Sequence, residues 1–235
     1  MNSPAPFWLD PSDTSYQFPD VSLALQEPDG LLAIGGDLSA KRLESAYKHC
    51  IFPWYNNDQP ILWWSPNPRA VLYPEKMKVS RSLRKSIKKG HISISFDKAF
   101  TQVIDACRTS RRDAEGTWIT AEMRDAYCNL HRLGSAHSVE AWVDEQLAGG
   151  LYGLAFGQVF FGESMFSTVT DASKIAFVAL AEQLIKWDYK LIDCQVKSAH
   201  LSSLGAEDIP RSQFKQLVSE LSELPVHPEA WSNIE

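Results

Sequence analysis

A carboxylate in the middle of an apolar strand needs a chemical reason. Asp193 lies in Lys190-Leu-Ile-Asp-Cys-Gln-Val196, where strand alternation sends Asp193 and Gln195 to one face and Cys194 to the other. Burying a charge there is expensive unless it has a partner or a task, so Asp193 either holds a loop in place or takes part in a reaction. Glu163 poses the same question. It sits among aromatics in Phe160-Phe-Gly-Glu-Ser-Met-Phe166, where burial would raise its pKa and suit it to proton transfer or to recognising a cation. The plainer alternative is an edge-strand glutamate facing water. The two acids converge if their strands are neighbours.

A basic block is the second signal. Lys76, Lys78, Arg81, Arg84, Lys85, Lys88 and Lys89 follow one another with no acid between them, in a chain whose net charge is −6. On a helix Arg81, Arg84, Lys85 and Lys88 share one face, and Leu83 and Ile87 anchor another face inward. Like charges at that spacing repel one another, so the face gains from a bound polyanion. A solvated helix face is the bland alternative. In an otherwise acidic chain we favour phosphate binding, which would be strongly salt-dependent.

Other constellations are weaker. Cys50, Cys107, Cys128 and Cys194 have no zinc-ligand spacing and read as reduced thiols. The six histidines show no metal spacing, and no metal or cofactor is expected. Gly149-Gly150 only grazes the pattern of an acetyl-CoA loop, and a hairpin kink accounts for it better. Trp54, Trp63 and Trp64 pack a core or form a flat platform for a base.

The elements that must hold these residues can be read from pattern. Residues 1–28 are rich in Pro, Ser and Asp and read as a surface wrap. A strand precedes Gly35-Gly36, and Ser39 caps a helix running to His49. Phe52 to Arg69 reads as a rigid surface loop around one short strand. Helices follow over 80–89, 99–108 and 120–133, the last capped by Thr120. A strand spans 91–97. Three more span 137–143, 147–156 and 158–166, turning at Asp144-Glu145 and at Gly157. Ala172 to Trp187 reads as an amphipathic helix with Ile175, Ala179, Leu180 and Leu184 on its inner side. The strand at 190–196 and short helices near 197–204 and 211–222 close a mixed α+β sheet flanked by helices.

With 235 residues, 44% hydrophobic and 22% charged, the chain has the composition of a globular protein, with no membrane span and no secretory leader expected.

Taken in order, GLLAIGGDLS, IFPWY, ILWWSPNPRAVL, GTWIT, FGESMFS, ASKIA and LIDCQV resemble the bacterial leucyl/phenylalanyl-tRNA–protein transferases over about residues 18 to 222. The resemblance implies a small N-terminal domain (1–64) followed by a mixed sheet like that of the GCN5-related N-acetyltransferases (65–235). It implies a cytoplasmic enzyme that moves Leu or Phe from aminoacyl-tRNA to the α-amine of proteins beginning with Arg or Lys, in the N-end rule degradation pathway.

It places Asp193 and Gln195 at the reacting centre, where Asp193 could orient or deprotonate the amine directly or through Gln195. It places Met165 and Phe160, with Leu151 and Ile192 as neighbours, around the amino-acid side chain. Trp54, Trp118 and Tyr127 match the wall for the terminal adenosine. Glu163, with Asp193 as a second partner, would meet the incoming cation, and Arg81, Arg84, Lys85 and Lys88 would hold the tRNA by its phosphates. Two rival functions stay open at this point: a non-catalytic RNA-binding protein, and an acyltransferase with an acyl-CoA donor.

Overall fold

The computed structural model describes residues 5–112 and 118–232. The Gly116-Thr117 part of GTWIT lies outside them. A first sheet carries β1 (Phe7–Leu9), β2 (Leu31–Gly35), β3 (Phe52–Pro53) and β4 (Leu62–Trp64) in the order β1-β2-β4-β3, with α1 (Ala40–Lys48) between β2 and β3. Ser39 starts α1 by accepting a hydrogen bond from the Arg42 backbone N–H, as its position predicts.

The second sheet has seven strands: β5 (Arg69–Leu72), β6 (Ser93–Phe96), β7 (Ala136–Val143), β8 (Gln146–Phe156), β9 (Val159–Ser167), β10 (Leu191–Gln195) and β11 (Glu207–Ile209). Their order is β11-β5-β10-β9-β8-β7-β6. The helices of this part are α2 (Arg81–Lys88), α3 (Phe100–Arg112), α4 (Ala121–Arg132), α5 (Ala172–Lys186), α6 (Ala199–Ser203) and α7 (Arg211–Leu221). The mixed α+β class read from the pattern is the observed one.

Strands β7, β8 and β9 form a meander. Asp144 and Glu145, both at positive φ, make the first of its two turns. Strand β9 then leads through α5 to β10, which pairs with it in parallel. Alternation along the strands feeds two cores. One face packs Tyr152, Phe161 and Leu191 against α1, α3, α4 and α7; the other packs Leu151, Phe160 and Ile192 against α5 and Leu83.

Several expectations change. Residues 7–9 lie at the surface as read, but as an edge strand paired with β2. The stretch 52–69 is not a surface loop around one strand. It supplies β3, β4 and the start of β5, and Trp63, Ser65 and Arg69 are buried. Helix α5 is buried beyond the single face expected of it, because the sheet, α2 and the segment before α2 cover it; Glu182, Ile185 and Lys186 stay exposed, and Ala179 is on this more open side. The kink expected at Gly149-Gly150 is present inside β8, where the β7–β8 register slips between Leu147 and Gly149. A side chain at Gly149 would come within 2.7 Å of the Ala172 Cβ, so the glycine admits the start of α5 close to the strand.

Candidate active site

The parallel register of β9 and β10 ends at Phe161 and Asp193. Beyond that point β10 departs from regular geometry. Gln195 has a left-handed backbone, φ 54°, and the register with β5 slips between Asp193 and Gln195. The alternation read from sequence therefore holds for Asp193 and Cys194 and breaks at Gln195. A cavity of about 450 Å³ opens at the split. Leu151, Phe160, Met165, Phe177 and Ile192 give it apolar lining, Glu163, Asp193 and Gln195 give it polar groups, and Trp54 and Trp118 also line it. The two acids do converge, because their strands are neighbours.

Asp193 is fully buried and answers its own charge problem with Arg69 on β5. Arg69 donates from Nε to Oδ1 at 2.8 Å and from Nη2 to Oδ2 at 2.6 Å. The guanidinium lies between the Phe52 and Phe214 rings, 4.8 and 4.7 Å from their centroids, and its Nη1 donates to the Cys50 carbonyl. Asp193 Oδ1 also accepts the Gln195 backbone N–H at 3.0 Å, which braces the kink. Arg69 and the chain itself thus hold Asp193 in place at the cavity, which it lines beside Gln195.

The Gln195 side chain is oriented by its nitrogen. Nε2 donates to the Gly162 carbonyl at 2.5 Å and stands 3.5 Å from Glu163 Oε1. The amide carbonyl oxygen has no partner among the described residues and is available as an acceptor in the cavity.

Glu163 is on a central strand, not an edge. Tyr47 of α1 donates to its Oε1 at 2.7 Å and Tyr127 of α4 to its Oε2 at 2.8 Å. Burial pushes the carboxyl up to about 7, against the two phenol hydrogen bonds, which pull it down. Burial, joined by the Glu163 charge, also holds both phenols well above their ordinary range, so they stay protonated donors. Tyr127 is therefore not a stacking wall: it is fully buried, with its ring edge-on to Tyr152 and its hydroxyl on Glu163.

The three tryptophans do not make one platform. Trp63 is buried and donates to the Gly35 carbonyl, whereas Trp54 is 47% exposed, with its ring tilted 58° to Trp64.

On α2, Ser80 caps the helix, and Arg81, Arg84, Lys85 and Lys88 are all exposed, with no acidic partner among the described residues. Leu83 is buried as expected. Ile87 is not, at 38% exposed, because α2 is held to α5 through Leu83 and through Ser86, whose hydroxyl donates to Asp171. Lys76 leaves the basic set by pairing with Glu207.

Arg69, Tyr47 and Phe177 were missed from sequence. Arg69 had a signal, since an arginine opening an apolar run is the natural partner for an aspartate inside another. The four cysteines are free, as read. Among the described residues no cluster of His, Cys, Asp or Glu is placed to hold a metal, and no helix is long and apolar enough to cross a membrane.

Comparison with known proteins adds a separate line of observation. Residues 71–219 match the family model described as leucyl/phenylalanyl-tRNA protein transferase, and residues 36–67 match the model of that transferase's N-terminal domain. A leucyl/phenylalanyl-tRNA–protein transferase of Methylococcus capsulatus is 56% identical over 225 residues, covering 96% of each chain. One of Nitrosomonas europaea is 58% identical over 220 residues, covering 94% of this chain and 92% of its own. Among solved structures, a GCN5-related N-acetyltransferase from Kribbella flavida is 10% identical with a TM-score of 0.33, covering 72% of this chain and 59% of its own.

Proposed function

This chain belongs to the leucyl/phenylalanyl-tRNA protein transferase family and is an aminoacyltransferase with aminoacyl-tRNA as its donor, and from that premise we propose how it holds and joins its two substrates. The observation that carries the reading is the cavity at the split between β9 and β10, apolar in one part and carrying an amide and a carboxyl in the other.

The Leu or Phe side chain of the donor lies against Leu151, Phe160, Met165, Phe177 and Ile192. An apolar enclosure of this size suits either side chain, and flexible Met165 adapts to both shapes. Trp54 and Trp118 flank the terminal adenosine. The exposed row Arg81, Arg84, Lys85 and Lys88 holds the tRNA by its phosphates, so base sequence matters little and the amino acid is chosen in the cavity.

The acceptor is a protein beginning with Arg or Lys, whose cationic end approaches Glu163. Its α-amine, with an ordinary pKa of about 7.7–8.0, must be neutral to attack the ester carbonyl. Gln195 Oε1 accepts an N–H of that amine and aims the nitrogen lone pair. Asp193, held by Arg69, fixes Gln195 through its backbone. Much of the rate then comes from holding two reactants in line.

The same proposal divides the chain at residues 1–64 and 65–235. The family-model boundaries support it, as does the passage from β4 in one sheet to β5 in the other between Trp64 and Arg69. It places the enzyme in the cytoplasm and its product in the N-end rule pathway.

The test is a transfer assay with labelled Leu-tRNA or Phe-tRNA and two acceptors that differ only in beginning with Arg or with Ala. Label on the Arg acceptor alone is expected. Equal labelling of both, or of neither, overturns the acceptor assignment.

A further inference from the structure

We propose that Tyr47, Tyr127 and Glu163 form a closed proton ring, and that this ring is the base that takes the proton the acceptor's α-ammonium must lose. The proposal rests on the aminoacyl-transfer reading for its substrate, but the ring itself is read from geometry.

Three oxygen–oxygen approaches close a triangle. Tyr47 Oη is 2.7 Å from Glu163 Oε1, Tyr127 Oη is 2.8 Å from Oε2, and the two phenol oxygens are 2.5 Å apart. Each approach needs one hydrogen between its two oxygens, and each tyrosine supplies one. When Glu163 is ionised, two hydrogens serve three approaches, and one close pair of oxygens has nothing between it. When Glu163 carries a proton, three hydrogens serve all three. Each of the three groups then donates once and accepts once around the ring. The ionised ring is one hydrogen short of completion, which makes it a base.

The ring also conducts. Reversing all three hydrogen bonds together moves the carboxyl proton from Oε2 to Oε1 without any proton leaving the cluster. Oε1 is the oxygen beside Gln195 Nε2. The same Gln195 offers its carbonyl oxygen to the incoming amine, so the amine is delivered next to the ring.

The groups around the ring set its affinity. The Asp193 charge raises the carboxyl's pKa and the Arg69 charge lowers it, and Tyr152 packs edge-on to Tyr127. Burial dominates and leaves a carboxyl near neutrality, close to the ordinary range of an α-amine, where proton transfer between them is nearly thermoneutral.

The step balances. The ammonium N–H bond breaks and an O–H bond forms on Glu163, giving a neutral amine and a neutral carboxyl. The nitrogen keeps its electron pair and attacks the ester carbonyl. As the tetrahedral adduct collapses, a second nitrogen proton goes to the departing adenosine oxygen. The ring returns its own proton to solvent between turnovers.

Single-turnover transfer to the Arg acceptor, followed across neutral pH, tests the base. Glu163→Gln is expected to slow the chemical step about 100-fold or more while leaving the Kd for tRNA unchanged. Tyr127→Phe opens the ring and is expected to slow transfer and to move its acid limb, because the hydroxyl that bonds both the carboxyl and Tyr47 is gone. The acceptor amine titrates identically in both proteins, so the shift belongs to the enzyme.

Infrared titration of protein with isotope-labelled glutamate is the independent readout. It is expected to show a protonated carboxyl lost near neutrality and absent from Glu163→Gln. Transfer by Glu163→Gln at the parental rate, an unmoved limb in Tyr127→Phe, or no protonated carboxyl on the acid side of neutrality would each overturn the ring. A wild-type enzyme that labels no Arg acceptor yet shows the infrared titration would instead refute the substrate reading and leave the ring standing.

Discussion

Arg69 and Asp193 lie on antiparallel neighbours β5 and β10 and join by two hydrogen bonds, with neither side chain reaching solvent. The pair sits at the last regular position of β10, immediately before the kink that presents Gln195. One interaction therefore closes a charge in the core and sets the geometry of the cavity.

Removing one partner leaves the other buried and unpaired. Arg69→Met is expected to cost about 3–5 kcal/mol of unfolding free energy and to lower kcat, because Gln195 loses its brace. Arg69→Lys is not expected to restore either, since an ammonium cannot reproduce the two-pronged contact. Urea unfolding and single-turnover rates on the same variants check both. A stable but inactive Asp193→Ala protein would contradict this account, which couples the residue's effect on activity to its effect on folding.

The exposed row on α2 predicts the opposite pattern. Lys85→Ala and Lys88→Ala remove like-charge repulsion and bury nothing, so stability is expected to stay within about 0.5 kcal/mol of the parent. Binding of tRNA is expected to weaken, and the slope of log K against log salt to fall by roughly one for each phosphate that is no longer neutralised. Titrations at several salt concentrations separate this from damage to the cavity, which would leave the slope intact.

What the sequence disclosed follows the same physical divide. Turns at Asp144-Glu145 and Gly157 marked out β7 to β9, and side-chain caps at Ser39 and Thr120 marked two helix starts, because these signals are local. Strands β1, β3, β5 and β11 are two to four residues long, too short to carry a period. Helix α5 was recognised as a helix with its inner face read too narrowly, since its surroundings decide how much of it is covered. Asp193 and Glu163 stood out as charges in apolar runs. Their partners did not, because Arg69 is 124 residues from Asp193 and Tyr47 is 116 from Glu163. A tyrosine on the inner face of a helix looks like core until the strand opposite it is known.

Gly153 ties β8 to the apolar part of the cavity, where we propose the donor's side chain lies. A Cβ there would stand 2.3 Å from the Phe161 carbonyl oxygen and 2.6 Å from the Phe160 ring. The carbonyl belongs to a paired strand and cannot yield, so Gly153→Ala must displace β9 and the Phe160 wall with it. A loss of about 1–3 kcal/mol is expected, together with a raised KM for aminoacyl-tRNA. Kinetics with Leu-tRNA and Phe-tRNA side by side would show whether the displaced wall changes the preference between them.

The raised carboxyl of Glu163 makes a prediction about stability whose sign can be fixed. In the unfolded chain the group gives up its proton near the ordinary value of 4.5, and in the folded chain only at about 7. Between those values the folded state holds more protons than the unfolded state, so stability falls as pH rises through that window. Below the lower value both states are protonated and the contribution is complete; above the higher value it is gone. The span corresponds to about 3 kcal/mol at most. The difference in unfolding free energy between wild type and Glu163→Gln should therefore shift against the wild type as pH rises from the lower value to the higher. Subtracting the variant removes the contribution of every other titrating group common to both. A difference that stays flat across the window would mean that Glu163 ionises as freely in the folded protein as in water, and the burial and ring that hold its proton would not be the forces at work.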